Sequence, residues 1–215
     1  MRGGSANHDQ TRTIRSRRLL AHRHRGVVVY HPGLSEDELI EVAEKLRLNL
    51  GCRTRVLDGW KNFDCDPHQG VDVVGDIRNL SAFADNSVAE IMASHCLEHL
   101  PHPETLSALK EWHRVLEPGG KLYVAVPDFE RAVEIYGIVG LDQWIVNFLS
   151  GDQGYKTAFH YNLFDEARLS ALLKEAGFSE SFRVELFPIG DEKDCSTNIS
   201  TIDGLPVSLN LIATK

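Results

Sequence analysis

Between Ser94 and Asp128 the chain reads SHCLEHLPHPETLSALKEWHRVLEPGGKLYVAVPD, and no other stretch limits the choice of fold so tightly. After Pro103, which suits a first helical position, Leu106, Leu109, Trp112, Val115 and Leu116 recur at helical spacing, and Pro118-Gly119-Gly120 then stops the helix. Leu122 to Val126 is an uninterrupted apolar run bounded by turn residues, which predicts a buried strand. Loop, helix, turn and strand in this order belong to an open α/β sheet. Ligands bind such sheets beyond the carboxyl ends of the strands, so Asp128 and the loop from His95 to His99 are expected to face one crevice.

The rest of the chain supplies further strands of that sheet. Arg47 to Gly51 reads as the first central strand, and Gly51, without a side chain, lets the backbone approach a ligand closely. Lys61 to Asp64 follows after an interval too short for a helix of about 11 residues with two loops. Val71 to Val74 is β-branched and precedes Gly75-Asp76-Ile77, and Val88 to Ala93 delivers Ser94 and His95. Before these, Val27 to Tyr30 reads as a short edge strand, and Ser35 caps a helix with Leu39, Val42, Ala43 and Leu46 on its apolar face. After them, Leu141, Trp144, Ile145, Phe148 and Leu149 mark an amphipathic helix. The glycine-punctuated GDQGYKTAFHYNLF comes next, with Tyr155, Lys156, His160 and Tyr161, and is the expected substrate-recognition loop. Asp165 caps a helix from Glu166 to Ala176, Gly177 ends it, and Phe182 to Phe187 is a strand. The tail SLNLIATK alternates apolar and polar residues as an edge strand does.

Charge is unevenly spread. Residues 1–25 hold seven arginines against Asp9 alone, which leaves 16 basic and 30 acidic residues for the remainder. Residues 1–25 therefore read as a disordered basic arm, with polyanion binding or a transit peptide as alternatives, and residues 26–215 as a single domain. The acidic body disfavours nucleic acid as a partner. No apolar run reaches the ~20 residues of a membrane span and no secretory segment is evident, so the expected address is cytoplasmic. Cys52, Cys65, Cys96 and Cys195 show no metal-site spacing. No metal is expected; the thiols read as small hydrophobes, with a site shared with His95 or His99 as the alternative.

Several ordered motifs carry a family resemblance. LNLGCRTRVLDGWKNFDCDP, then VDVVGDI, then SHCLEHL with EWHRVLEPGGKLYVAVPD resemble the class I S-adenosylmethionine-dependent methyltransferases, in particular a small bacterial-type group. The resemblance implies a Rossmann-like three-layer sandwich whose mostly parallel seven-stranded sheet has the order 3-2-1-4-5-7-6, with the last strand antiparallel. It implies S-adenosylmethionine as cofactor, held by Asn49, Gly51, Cys52, Arg53, Asp64, Asp76, Ile77 and His95. Within that set Asp64 accepts the ribose hydroxyls, Asp66 being the alternative, while Asp76 accepts from the adenine amino group and Ile77 packs on the ring. Arg53 stands where the family has a second glycine; it either pairs with the methionine carboxylate or is a surface arginine. His95, His160 and Asp128 are the candidate catalytic residues, the two histidines preferred because their ordinary pKa is near ~6.5.

The expected function is methyl transfer to an oxygen or nitrogen of a small molecule or glycan. The departure at Arg53 keeps open a catalytically inactive cofactor-binding or regulatory module on the same fold. A nicotinamide enzyme is disfavoured because no G-x-G-x-x-G follows the first strand.

Overall fold

The computed structural model describes residues 21–24, 27–30, 45–154, 157–189, 201–202 and 205–215. The chain divides into two units, residues 1–44 and 45–215. In the first, β1 (Ala21–His24) and β2 (Val27–Tyr30) pair antiparallel, from Ala21 opposite Tyr30 to His24 opposite Val27. The strand expected at Val27 to Tyr30 is therefore present in a two-stranded ribbon, and Ala21–His24, at the end of the arginine-rich stretch, is a strand as well. The helix expected after Ser35 lies outside the described residues.

The second unit is built on a seven-stranded sheet. Its strands are β3 (Arg47–Leu50), β4 (Lys61–Asp64), β5 (Val73–Val74), β6 (Val88–Ser94), β7 (Leu116–Pro127), β8 (Glu180–Val184) and β11 (Ser208–Thr214), β11 being numbered after a separate small pair, β9 (Thr201–Ile202) and β10 (Leu205–Pro206). The spatial order is β5-β4-β3-β6-β7-β11-β8, which is 3-2-1-4-5-7-6 when β3 is counted as the first sheet strand. β3 to β7 run parallel, and β11 is antiparallel to both β7 and β8.

Successive side chains point to opposite faces of this sheet, as strand geometry requires. Ile91, Ala93, Leu122, Val124, Leu209 and Leu211 bury one face against α1 (His102–Val115) and α4 (Glu166–Ala176), through Leu109, Trp112, Leu169 and Leu173. Met92, Tyr123, Ala125 and Ile212 bury the other against Leu57, Trp60, Phe187 and Ile189. Residues 51–60, between the parallel neighbours β3 and β4, hold turns and no helix. The buried Asn62 side chain fastens this segment to the sheet: its Oδ1 accepts from Leu57 N and Asn49 Nδ2, each at 2.9 Å, and its Nδ2 donates to the Leu57 and Trp60 carbonyls.

Several local expectations are corrected. The tail strand β11 is interior, buried along Ser208 to Ala213; its polar Asn210 is satisfied inside, donating to the Glu185 carbonyl at 2.7 Å. β5 is shorter than Val71 to Val74 because the Asp72 carboxylate, at 2.8 Å, takes the Asn62 N–H that a longer strand would bond. The strand expected at Phe182 to Phe187 is shifted to Glu180–Val184. An unforeseen helix, α2 (Phe129–Val139), precedes α3 (Gln143–Ser150). The two pack together at Ile135 and Ile145 with Val207. α4 has the predicted bounds, with Asp165 accepting from Arg168 N at 2.7 Å and Gly177 left-handed at its end. No helix among the described residues is long and apolar enough to cross a membrane.

Candidate active site

Four parallel strands end at one edge, and the residues just past them form the floor of a cleft of about 670 Å³. This is within the usual size of a small-molecule site. From β3 come Gly51, Cys52 and Arg53, from β4 Asp64, from β5 Asp76 and Ile77, and from β6 His95; all line the cleft, as does His160 from the opposite wall.

Gly51 has φ +64°, and a Cβ there would lie 2.6 Å from the Cys96 Cβ, so the close approach that needs glycine is to the neighbouring strand end. Arg53 is also left-handed, with φ +45°, and its N–H donates to Asp64 Oδ2 at 2.7 Å. The family's second glycine thus coincides with a conformation that favours glycine. Asp64 is buried, and its Oδ1 accepts from Asp66 N at 3.0 Å. Its carboxylate ties the ends of β3 and β4 together while still bordering the cleft; Asp66 borders it too but is exposed. The hydrogen bond from Arg78 holds the Asp76 carboxyl below its usual range, and Arg78 also bridges to Glu104. Ile77 is fixed through its carbonyl, which accepts from Trp112 Nε1 at 2.8 Å.

Asn49 and Asp128 lie elsewhere. Asn49 is buried beneath the floor, donating to the Arg55 carbonyl at 2.8 Å and to Asn62. Asp128, 1 % exposed, caps α2 by accepting from Glu130 N and Arg131 N, and its Oδ2 accepts from Arg183 Nη2 at 2.6 Å. The expectation that Asp128 faces the crevice is corrected: its oxygens are spent on a helix end and an arginine of β8.

The histidines meet around Glu98. His95 has φ +51°, its Nε2 is 2.8 Å from Ser208 Oγ on β11, and its Nδ1 is 3.3 Å from Glu98 Oε1. Burial raises the Glu98 carboxyl, but His95, with His99 and His160, outweighs it and brings the net shift below the usual range. His99 and His160 pack edge to face with ring centroids 4.9 Å apart. The Glu98 carbonyl accepts from both Tyr161 N, at 2.8 Å, and Asn162 N, at 3.2 Å, and this fixes the far loop against the short 3₁₀ turn Leu97–His99. Tyr155 and Lys156 of that loop lie outside the described residues.

Sequence reasoning missed part of the wall. Trp144 and Phe148 of α3 border the cleft and stack with centroids 4.9 Å apart and 16° between their planes. Their i, i+4 spacing was legible, but it reads equally as a core face. The thiols are not poised for reaction. Burial, with the Asp64 charge next, pushes Cys52 up to about 12, and Cys96 is raised by burial as well.

The methyltransferase-domain family matches residues 41–124. No curated protein matches the sequence. A solved SAM-dependent methyltransferase from Archaeoglobus fulgidus is 16% identical, with a TM-score of 0.53 over 83% of this chain and 90% of that one. Another from Methanosarcina mazei is 21% identical, with a TM-score of 0.52 over 85% of this chain and 98% of that one. The strand order, the cleft at the ends of four parallel strands and these matches lead to one conclusion: the chain has the fold of the class I S-adenosylmethionine-dependent methyltransferases, and its residues 41–124 are similar to the methyltransferase-domain family.

Proposed function

We propose that the chain transfers a methyl group from S-adenosylmethionine to an oxygen or nitrogen of a small molecule or glycan. The observation that supports this most is the convergence of Gly51, Asp64, Asp76, Ile77 and His95 in one cleft, from the ends of four parallel strands. The cofactor brings an activated leaving group, so the protein has chiefly to align the acceptor and exclude water. In this reading Asp64 receives the ribose hydroxyls. Each of its oxygens already accepts one N–H, and a carboxylate oxygen has a second lone pair to offer. Asp76 and Ile77 take the adenine, and Gly51, Cys52 and Arg53 border the methionine end. Asn49 supports this loop from below.

The acceptor lies in this reading between His95, His160 and the stacked Trp144 and Phe148, an aromatic wall suited to a planar or apolar face. A base is required only where the acceptor must lose a proton. Both ring nitrogens of His95 already face protein groups, Ser208 and Glu98, which gives it a role in shaping the site.

The test is isothermal titration of the full chain with S-adenosylhomocysteine, repeated on Asp64→Asn. Micromolar binding, weakened at least about tenfold by the substitution, is the expected result. No heat with the wild type would sink the proposal. Arg53 motivates the second reading, an inactive module, because a long side chain stands where the family has glycine. If Arg53→Gly binds S-adenosylhomocysteine and the wild type does not, that reading replaces the first.

A further inference from the structure

Glu98 is fully buried, and neither of its carboxylate oxygens has a hydrogen-bond partner. A carboxylate in that position is strongly unfavourable unless positive charge is placed beside it. His95 Nδ1 stands 3.3 Å from one oxygen. His99 and His160 are close as well: their ligating atoms and that of Glu98 all lie within 4.8 Å of one another.

The two imidazoles are oriented in the same way. Nδ1 of His99 is 3.0 Å from the Phe159 carbonyl, and Nδ1 of His160 is 2.9 Å from the Phe148 carbonyl. A carbonyl only accepts, so Nδ1 carries the proton in each ring and Nε2 is left with the lone pair. A histidine whose one nitrogen donates to a backbone carbonyl while the other is free to ligate is the arrangement found in metal-binding sites. The main chain holds the three residues together in advance, since the Glu98 carbonyl accepts from Tyr161 and Asn162, and His160 N donates to the Ser150 carbonyl at 3.0 Å.

We propose that Glu98, His99 and His160 form a binding site for one divalent first-row transition-metal ion, with its remaining coordination positions open to the cleft. Two imidazoles and one carboxylate suit zinc, iron or cobalt better than magnesium or calcium, which prefer oxygen. Bonds of about 2.0–2.2 Å bring the donors to about 3–3.5 Å from one another, so the side chains close in on the ion. Glu98 and His99 adjoin in sequence while His160 comes from a distant loop, so no ligand spacing announces the site. The other cluster of potential ligands among the described residues, Asp64, Cys65 and Asp66, lacks this preparation: both Asp64 oxygens already accept backbone N–H groups.

The use of the ion rests on the methyl-transfer reading; its binding does not. Beside the transferable methyl, the ion would hold an acceptor hydroxyl and lower its pKa, so that its proton passes to solvent water before the oxygen takes the methyl group and S-adenosylhomocysteine leaves. The acceptor class is then a hydroxyl compound able to coordinate a metal, and His160 serves as a ligand and not as a base.

The experiment uses the full chain, stripped with chelator and dialysed, titrated with Zn²⁺ by calorimetry and with Co²⁺ by visible absorption. One equivalent is expected to bind, at least about tenfold more weakly in His160→Ala, in His99→Ala and in Glu98→Gln, with thermal melting confirming that each variant is folded. Absence of binding to the wild type overturns the proposal and leaves Glu98 with His95 as its counter-charge. Binding that survives both histidine substitutions in folded protein overturns it as well. Titration of the same wild-type samples with S-adenosylhomocysteine keeps the two readings separate: metal binding without cofactor binding rejects the methyl-transfer proposal alone, and the converse rejects the metal site alone.

Discussion

Gly51 and Cys96 stand so close that a Cβ on Gly51 would lie 2.6 Å from the Cys96 Cβ. Gly51→Ala must therefore push apart the ends of β3 and β6 and also adopt φ +64° with a side chain. Strain of this kind, added to overpacking, costs about 2–4 kcal/mol. A clear drop in melting temperature is expected, together with weaker binding of S-adenosylhomocysteine. A variant that melts with the wild type would show that the two strand ends are not held as described.

Asp128 and Arg183 form an ion pair with the carboxylate buried and the arginine partly exposed. Asp128→Ala removes a helix cap and leaves Arg183 without this partner. The combined loss is about 2–4 kcal/mol, discounted for the exposure of the arginine. Chemical denaturation should show that loss while S-adenosylhomocysteine affinity stays within about twofold of wild type. Intact stability with impaired cofactor binding would return Asp128 to the site.

Cys65 is exposed, yet local desolvation and then the Asp64 and Asp66 charges push its thiol up to about 11. Only thiolate reacts readily. Alkylation by iodoacetamide at pH 7.5, followed by peptide mass mapping, should be at least about tenfold slower at Cys65 than in a free cysteine peptide. Cys52 and Cys96 should label only in denaturant. Rapid labelling of any of the three in native protein would contradict these assignments.

His113 packs against Phe178, and burial, followed by the Lys215 charge, lowers its pKa below 6.5. Burial also lowers His160. The unfolded chain therefore takes up protons near pH 6.5 that the folded chain refuses, so stability is level above that pH and falls as pH drops through 6.5 toward the folded values. Melting curves between pH 8 and pH 5 should show the decline, and His113→Gln should make it shallower. An unchanged slope in that variant would remove His113 from the explanation.

What could be read in the sequence follows from how locally each feature is determined. Asp64 and Asp76 stand out through the ordered motifs of the family resemblance, and His95 through its place just after an apolar strand, since the strand ends of a parallel sheet face one edge. Asp128 shares that position, but its fate depends on Arg183, 55 residues on, which no local pattern reveals. Asn210 made β11 look like an edge strand, because a polar residue reads as exposed until the Glu185 carbonyl that satisfies it is known. α2 escaped notice because Val133, Tyr136, Ile138 and Val139 remain exposed while only Ala132 and Ile135 are buried, which erases helical periodicity. Glu98 stands just before a helix, where an acid reads as exposed, and the far loop that holds its carbonyl through Tyr161 and Asn162 is too distant in sequence to announce its burial.

The placement of β11 between β7 and β8 has a consequence for the order in which the protein assembles. During synthesis from the amino terminus, β8 emerges before the strand that joins it to the sheet, so it must wait for residues 208–214. The same strand brings Ser208 to His95. An emerging chain can thus form the parallel half of the sheet early, while its cleft takes final shape only when the last strand slides into the gap.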